Sequence, residues 1–183
     1  KLGSPVITTF KAKGLIPDSH PLACGVLGRS GTAVASWFMN QADQLIVFGA
    51  SFSNHTGIAE YKSIIQVDFD PMMLGKFHAV DVAVWGEIGV TAGMFLDALD
   101  GHTPAADVRD EILERKTMWR NEKQSRARDD RGNGLSSAFI FSVLQNHLPP
   151  DAVITVDVGN NTYSFGRYFE CAQQDVLMSG YLG

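Results

Sequence analysis

The sequence lacks three features that would narrow its function at once. Its 183 residues include only two cysteines, Cys24 and Cys171, which stand far apart and in no metal-binding or redox spacing. We therefore expect buried free thiols in a reducing compartment and a cytoplasmic protein. No apolar run approaches the ~20 residues that span a bilayer, which argues against a membrane protein. The net charge of -5 argues against nucleic acid as a partner, because phosphate binding needs a basic surface.

Side chains that commonly carry catalysis or bind metals are also sparse and scattered. The five histidines show neither i, i+4 pairing nor cysteine neighbours, so no zinc site is expected. Ser53 and His55 are neighbours on one loop, where a nucleophile and its base rarely align, and no nucleophile elbow is present. We therefore predict no catalytic residue and no metal ligand within this sequence.

Two short apolar runs, residues 43–50 and 63–70, are the most informative part of the chain. Their length and β-branched content predict strands buried on both faces of a parallel sheet. Ligands of such sheets bind outside the carboxyl ends of the strands. Here those ends carry the small-residue loop 49–57 and the carboxylates of Asp68 and Asp70. Small residues admit phosphates and a carboxylate can accept ribose hydroxyls, so the pattern predicts a nucleotide-shaped crevice.

The rest of the first hundred residues fits an α/β doubly wound pattern. Strands near residues 8 and 84 are expected beside the two central ones, all four side by side and pointing the same way. Residues 11–31 are interpreted as a long loop that ends in a glycine-rich turn, with Thr32 capping the following helix. A second helix is expected from Val90 to Leu99. The turn is either an anion site or an ordinary loop-to-helix junction.

Composition changes after Gly101 and again after Gly134. Mixed charges in residues 102–134 predict a solvent-facing helix over about 106–120, followed by an extended linker. A helix capped by Ser136 or Ser137, a strand at 151–159, another helix and another strand then make a truncated second α/β unit. We therefore predict three segments: a central nucleotide-binding-like domain at 1–101 that lacks its first βα unit, a charged linker at 102–134 and a truncated cofactor domain at 135–183.

Several short motifs follow one another in an order and spacing that resemble those of the thiamine-diphosphate-dependent 2-oxo acid enzymes, namely acetohydroxyacid synthase, pyruvate oxidase and pyruvate decarboxylase. The resemblance covers nearly the whole chain. It implies a Rossmann-like central domain, followed by the start of the cofactor domain. The motifs are Leu-Gly-Arg-Ser-Gly-Thr at 27–32, Phe-Gly-Ala-Ser-Phe at 48–52, Val-Asp-Phe-Asp-Pro at 67–71, Gly-Glu at 86–87, Asp-Val-Gly-Asn at 157–160 and Ser-Gly-Tyr-Leu-Gly at 179–183.

Some members of this family hold FAD or ADP in the central domain. Flavin-binding members often have an arginine where this chain has Ser51 and a histidine where it has Ser30. An absent charged hydrogen bond beside a pyrophosphate weakens binding by about 1.5–3 kcal/mol, so the site either binds FAD or ADP or stays empty. The positions that the resemblance places at this site are Gly28, Ser30, Gly31, Gly49, Ala50, Ser51, Asn54, Asp68, Phe69, Glu87 and Ile88.

The resemblance also implies that Gly159, Asn160, Asn161 and Gly183 face thiamine diphosphate. Asn160 and Asn161 could equally form an ordinary Asx turn. The Gly-Asp-Gly to Asn motif that binds Mg²⁺ in the family is expected beyond Gly183, and the activating glutamate in an N-terminal domain. We therefore expect a fragment of a homo-oligomeric enzyme that acts on a small 2-oxo acid such as pyruvate, inert by itself. The alternatives are a stand-alone ADP- or FAD-binding module and a purely structural spacer.

Overall fold

The computed structural model describes residues 1–50, 52, 56–104, 106–129, 132 and 134–179. Within these residues parallel strands alternate with helices, which confirms the α/β class. The strands are β1 (Val6–Thr8), β2 (Ala23–Val26), β3 (Gln44–Phe48), β4 (Ser63–Asp68), β5 (Val82–Trp85), β6 (Val153–Val156) and β7 (Asp175–Met178). The helices are α1 (Ala33–Gln41), α2 (Ile88–Ala98), α3 (Arg109–Arg128), α4 (Ser137–His147) and α5 (Asn160–Tyr168). Of the described helices, none has the length and hydrophobicity that a membrane span requires.

The centre of the first unit is a parallel ladder in the order β3-β4-β5. Phe48 pairs with Val67, and Asp68 pairs with Trp85, so the three strands end at nearly the same level. Parallel pairing follows from the sequence because each strand is separated from the next by a long connection rather than a two-residue turn. The strands expected near residues 47, 66 and 84 therefore lie side by side and point the same way.

The strand near residue 8 has a different partner from the one expected. β1 pairs in parallel with β2, and the described hydrogen bonds do not join either strand to the β3-β4-β5 ladder. Interpreting residues 11–31 as a loop missed β2. Its sequence, Ala-Cys-Gly-Val, has little β-branched content, and the strand owes its stability to pairing with β1 and to the burial of Ala23, Cys24 and Val26.

The expectation that both central strands are buried on both faces is correct only for β4. Ile64, Gln66, Val67 and Asp68 are all buried, whereas Ile46 and Phe48 on β3 are exposed. The inner face of β3 packs against α1, because Leu45 shares a core cluster with Ala35 and Met39. On the opposite face of β3, the ring of Phe48 meets that of Phe95 of α2 edge-on. β3 is therefore half-covered.

Helix starts follow the capping residues in the sequence. The Thr32 hydroxyl accepts a hydrogen bond from the Ala35 amide at 3.2 Å, which confirms the predicted cap of α1. The Ser136 hydroxyl accepts from the Phe139 amide at 3.1 Å and caps α4 in the same way. α2 begins two residues earlier than predicted, because the side chain of Glu87 caps it.

The charged segment departs most from its prediction. α3 continues to Arg128 instead of ending near residue 120, and it is not simply solvent-facing. Ile112, Trp119 and Lys123 are buried along one side of α3. These positions lie seven and four residues apart, close to whole turns of a helix, so they form one stripe. The stripe has too few apolar residues to stand out among the charges of the sequence.

Several charged side chains of α3 bind other parts of the protein and are not simply solvated. Arg120 donates from Nε and Nη2 to the Glu170 carboxylate at 3.0 and 2.7 Å, and Lys123 Nζ lies 3.4 Å from the same carboxylate. Burial by itself raises the pKa of Glu170, but the hydrogen bond from Arg120 and the nearby cations outweigh it, so the net shift of this pKa is downward. Lys116 Nζ donates to the carbonyls of Asp18 and His20 at 2.8 and 3.0 Å. α3 therefore binds both units.

The main hydrophobic core crosses all three predicted segments. Trp119 of α3 stacks on Tyr168 of α5 with the ring centroids 5.9 Å apart. This cluster consists of Cys24, Val34, Phe38, Ile112, Trp119, Ala138 and Tyr168. A smaller cluster around Phe165, Phe169 and Cys171 also includes Phe10 from the start of the chain. The units thus share core residues, and the boundaries at 101 and 134 stay predictions.

Replacing Ile112 with alanine should destabilise the protein by about 2–5 kcal/mol, because this fully buried side chain leaves a cavity beneath α3. Its neighbour Leu113 is 59% exposed, so Leu113→Ala should change the free energy of unfolding by less than about 0.5 kcal/mol. Urea unfolding followed by circular dichroism gives both values. Equal effects of the two substitutions would mean that α3 does not pack as described.

Candidate functional site

The carboxyl ends of β3, β4 and β5 form one continuous edge. The Gly49 amide donates to the Val67 carbonyl at 2.9 Å, and the Gly86 amide donates to the Asp68 carbonyl at 3.0 Å. These bonds continue the parallel ladder past the last paired residues and hold the three strand ends level. The structure therefore brings together five of the predicted site residues at this sheet edge, namely Gly49, Asp68, Phe69, Glu87 and Ile88.

Gly49 is needed at this edge for two reasons. Its φ of +62° lies in the left-handed region that side chains disfavour. A Cβ built on Gly49 would also lie 2.7 Å from Cδ1 of Ile88, so the start of α2 comes down onto the end of β3. The Ile88 side chain therefore occupies the space where a Cβ of residue 49 would lie, while Gly49 itself stays exposed.

The two carboxylates at the end of β4 organise the chain that follows them. Asp68 is buried, and its Oδ1 accepts a hydrogen bond from the Asp70 amide at 3.0 Å. Asp70 in turn accepts from the Met72 amide at 3.0 Å and caps the short 3-10 turn that starts at Pro71. Asp68 is therefore held rigidly at the strand end, with the acceptor capacity of a carboxylate still larger than this one bond.

Glu87 has a structural role that the sequence pattern did not indicate. Its Oε2 accepts a hydrogen bond from the Val90 amide at 2.7 Å and caps α2. Hydrogen bonds from the backbone amides of Gly89 and Val90 hold the pKa of this exposed carboxyl below its ordinary value. Glu87 thus stays ionised at neutral pH, and its charge lies at the helix N-terminus where the macrodipole favours it.

The turn from Gly28 to Gly31, which we call the glycine turn, leads into α1. The Gly31 amide donates to the Gly28 carbonyl at 2.8 Å, and Gly28 has a φ of +90°. A Cβ on Gly31 would lie 2.4 Å from the Val26 carbonyl oxygen, so no larger residue fits. Gly57, the last residue of the loop 49–57, approaches the turn closely, because its Cβ would lie 3.4 Å from Cα of Gly28. Gly57 therefore borders the glycine turn.

Three predicted positions, Ser51, Asn54 and Gly183, lie outside the described residues. Phe52, which lies between Ser51 and Asn54 in the sequence, is described. It is buried, has a φ of +52° and meets the His78 ring edge-on at 5.9 Å between centroids. A left-handed backbone costs a residue such as phenylalanine about 1–2 kcal/mol, which burial of the ring offsets. Phe52 therefore anchors the loop after β3.

Gln66, which the sequence analysis passed over, ties the loops at this edge together. It is fully buried in the middle of β4. Its Nε2 donates to the carbonyls of Met73 at 3.1 Å and Ala50 at 3.5 Å, and its Oε1 accepts from the Gly75 amide at 2.8 Å. Ala50, one of the predicted site residues, is thus held by β4. The available signal was a polar residue at the centre of an apolar strand, which needs partners if it is buried.

Two aromatic rings project beside the buried carboxylate. Phe69 is 71% exposed and Trp85 is 73% exposed. The Trp85 indole Nε1 donates to the Phe69 carbonyl at 3.0 Å, which fixes the indole at the strand ends. Trp85 was also missed, although an aromatic residue directly before Gly86 and Glu87 was visible in the sequence. Each ring is an exposed apolar surface of the kind on which a nucleobase stacks.

The residues predicted to face thiamine diphosphate lie in the second unit, at the start of α5. Gly159 has a φ of +139° and is the N-cap of the helix, and Asn160 and Asn161 are its first two residues. Asn160 and Asn161 are therefore helical rather than a turn preceding the helix. Both side chains are exposed, and the Thr162 hydroxyl donates to the Asp157 carbonyl across the strand-to-helix junction. Gly159, Asn160 and Asn161 thus stand together at an accessible helix N-terminus.

The cysteines contribute no reactive group to either location. Burial raises the pKa of Cys24 to about 12 and that of Cys171 to about 11, so both thiols stay protonated at neutral pH. Among the residues that the structure describes, no group of three or more His, Cys, Asp or Glu side chains could hold a metal ion. The groups at the sheet edge are ones that bind: glycine backbone, a fixed carboxylate and aromatic rings.

The family model described as the central domain of thiamine pyrophosphate enzymes matches residues 1–99. The chain belongs to the thiamine pyrophosphate enzyme family. Thiamine pyrophosphate is the same compound as thiamine diphosphate, so the match confirms the resemblance that the sequence motifs indicated. The matched residues include the glycine turn and the whole β3-β4-β5 edge.

Relatives extend the match past the central domain. A Bacillus subtilis protein, YdaP, whose name describes it as thiamine pyrophosphate-containing, is 30% identical over 100% of this chain and 32% of its own length. Sulfoacetaldehyde acetyltransferase of Castellaniella defragrans is 26% identical over 87% of the chain and 31% of its own. The acetolactate synthase large subunit of Parasynechococcus marenigrum is 29% identical over 98% and 29%. The chain thus spans about a third of the length of these relatives.

Replacing Gln66 with leucine should destabilise this thiamine pyrophosphate enzyme chain by about 0.5–1.5 kcal/mol for each hydrogen bond to the backbone that is lost. The affected groups are the Gly75 amide and the Met73 carbonyl. Gln44 at the exposed start of β3 is the matched control, and Gln44→Leu should change the free energy of unfolding by less than about 0.5 kcal/mol. Urea denaturation measures both. A neutral Gln66→Leu would refute the role assigned to this side chain.

Proposed function

We propose that this chain is the part of a thiamine-diphosphate-dependent 2-oxo acid enzyme that comprises its central domain and the beginning of its cofactor domain. The parent enzyme decarboxylates a pyruvate-type substrate, as an acetolactate synthase or a pyruvate oxidase does. The observation that carries this proposal is continuity. The family model covers residues 1–99, and two relatives with acetolactate synthase in their names align over 98% and 100% of the chain, through α3 and into the second unit.

The start of α5 fits the diphosphate of the cofactor. The first amides of a helix have no intrahelical acceptor, and here they are preceded by Gly159 and accompanied by the exposed amides of Asn160 and Asn161. We assign the binding of diphosphate oxygens to these three residues. Bound thiamine diphosphate supplies the carbanion stabilisation through which a 2-oxo acid loses CO₂. The role of this chain is to hold the cofactor, and no proton transfer is assigned to its residues.

Magnesium does not fit the described residues. Mg²⁺ needs several oxygen ligands placed together, and the nearest carboxylate in sequence, that of Asp157, accepts a hydrogen bond from the Val158 amide at 2.7 Å. We therefore assign no metal ligand to this chain. In the proposed parent enzyme the Mg²⁺ that accompanies thiamine diphosphate would be held by residues other than these.

We further propose that the β3-β4-β5 edge binds the adenosine diphosphate unit that ADP and FAD share. Phosphates would approach the exposed backbone of Gly49 and the partly exposed backbone of Gly28, neither of which carries a side chain. The fixed carboxylate of Asp68 would accept ribose hydroxyls. Phe69 and Trp85 would stack on the base. Ser30 gives no charged contact to a pyrophosphate, and because ADP and FAD both carry this group, the loss weakens the binding of either ligand.

A structural spacer is the second candidate, and two observations favour it. Ser30 is buried, and the Glu87 carboxylate already caps α2, so two of the predicted nucleotide contacts are engaged within the protein. In this case the edge makes only turns and helix caps. Nucleotide binding separates the two candidates.

The remaining proposals concern the parent as a whole. Exposed apolar side chains on α2, among them Val90 and Met94, support contact with further protein, and we propose a homo-oligomer. The two free, buried cysteines support a cytoplasmic location. The acidic balance of the chain supports small molecules rather than nucleic acid as partners.

ADP should bind the wild-type chain, and Asp68→Asn should weaken this binding at least about tenfold. The substitution keeps the side-chain shape and an oxygen for the Asp70 amide but loses a charged hydrogen bond worth about 1.5–3 kcal/mol. Asp43→Asn, just before the opposite end of β3, is the matched control and should leave the Kd unchanged. Isothermal titration calorimetry with ADP and with FAD gives the Kd values. No heat from either nucleotide would favour the spacer.

The 183-residue chain should not decarboxylate pyruvate when thiamine diphosphate and Mg²⁺ are added, because its sequence has no Gly-Asp-Gly segment to bind the metal. The measurement is CO₂ release from carboxyl-labelled pyruvate. A full-length acetolactate synthase in the same assay controls for the reagents. Turnover above the protein-free blank would contradict the assignment of this chain to binding alone.

A further inference from the structure

Helix α5 reaches from one candidate cofactor site to the other. It begins at Asn160, directly after Gly159, and its last turn contains Gly166 and Arg167. Arg167 Nη2 donates to the Arg29 carbonyl at 2.9 Å, and Arg167 Nε lies 3.3 Å from the Gly31 carbonyl. These two acceptors belong to the glycine turn, more than 130 residues away in sequence. The second unit therefore binds the backbone of the predicted nucleotide site directly, through hydrogen bonds from Arg167.

The contact is close because small residues meet there. A Cβ built on Gly166 would lie 2.6 Å from Cε2 of Phe10 and 2.8 Å from Cβ of Ser30. Gly166 and Ser30 are both buried. A larger residue at position 166 would push α5 off the turn. Ser30 therefore packs against the second unit, which accounts for its burial.

The chemistry of arginine makes this a stiff connection. A guanidinium is planar and always charged, so two hydrogen bonds from one side of it fix the positions of both acceptors. Donation to the carbonyls of Arg29 and Gly31 holds the turn from its carbonyl side. From Asn161 to Arg167 the helix rises by roughly 9 Å, a length over which a packed helix moves as a body. Tyr168, the next residue, is held by the stack on Trp119.

We propose that α5 couples the two cofactor sites, with Arg167 as the residue that positions the glycine turn. This inference rests on the proposed function, since it assigns ADP to the turn and thiamine diphosphate to the start of α5. A nucleotide that orders the turn restrains Arg167, and through the helix it restrains Gly159 to Asn161. Thermodynamic linkage makes the effect reciprocal, so an ordered start of α5 favours nucleotide binding. For the two sites to be coupled, the restraint at Arg167 must extend along α5 to the exposed residues Asn160 and Asn161.

Amide hydrogen exchange of the whole 183-residue chain tests this coupling, first without any ligand. Arg167→Met should accelerate exchange in the glycine turn and also at the start of α5, residues 159–163, where the Thr162 amide donates to the Gly159 carbonyl and is the one to follow. We expect at least about fivefold at both, the lower end of the usual range of coupling. Arg109→Met is the matched control, because Arg109 is an exposed arginine at the first position of α3. Arg167→Lys keeps the charge but loses the planar guanidinium, so it should accelerate exchange by an intermediate amount. It replaces Arg167→Met in the test if the methionine variant folds poorly.

The buried amides of β4 serve as the internal reference for global stability. Acceleration of the turn alone, with residues 159–163 at the wild-type rate, would overturn the proposal. Equal acceleration everywhere, β4 included, would overturn it too, because Arg167 would then only stabilise the fold. Faster exchange at both sites with β4 unchanged supports it.

Adding ADP gives the second arm. In the wild type and in Arg109→Met, ADP should slow exchange at the turn and at residues 159–163. In Arg167→Met it should slow exchange at the turn only. Protection that reaches residues 159–163 in all three proteins would overturn the role of Arg167. If calorimetry shows no ADP binding to the wild type, the proposed nucleotide site is wrong, and the ligand-free arm alone decides whether α5 connects the two places.

Discussion

The position of α3 between the two units is the constraint on which the rest of the structure depends. Its buried stripe contributes Ile112 and Trp119 to a core that also contains Val34 of the first unit and Tyr168 of the second. At the same level Arg120 and Lys123 neutralise the Glu170 carboxylate, which would otherwise be costly to bury. The apolar contacts hold α3 against both units, and the ion pairs with Glu170 fix the orientation of α3. Both α3 and α5 thus connect the two units that carry the candidate cofactor sites.

Within the first unit the binding edge is a product of backbone geometry. Three parallel strands in register bring their last residues to one level, and hydrogen bonds from Gly49 and Gly86 extend that level outward. Two side chains then fix the backbone around this edge. Asp68 accepts a hydrogen bond from the amide of Asp70, and Gln66 donates to the carbonyl of Met73. An edge of this kind is suited to holding a ligand without taking part in its chemistry. It agrees with a family in which the reacting group is carried by the cofactor.

The sequence predicted local features well and long-range ones poorly. Thr32 and Ser136 indicated helix starts because a capping hydroxyl acts within three residues. The apolar content of the sequence identified the strands β3 and β4. It did not predict that Phe48 is exposed, since the burial of a strand residue depends on which helices pack against the strand. β2 was missed because it forms only when β1 is alongside. The partners of Arg167 and the charges of α3 were out of reach for the same reason: their acceptors lie dozens of residues away.

The outer position of β5 in its ladder has a consequence for handling the protein. In the described part of the chain β5 is the last strand of its sheet, and Val82 and Trp85 are largely exposed on it. A strand at such a position presents backbone donors and acceptors that a second molecule can use to extend the ladder. The acidic residues at its two ends, Asp81 and Glu87, work against this pairing through like-charge repulsion that salt screens. Colloidal stability of the chain therefore decreases as ionic strength rises.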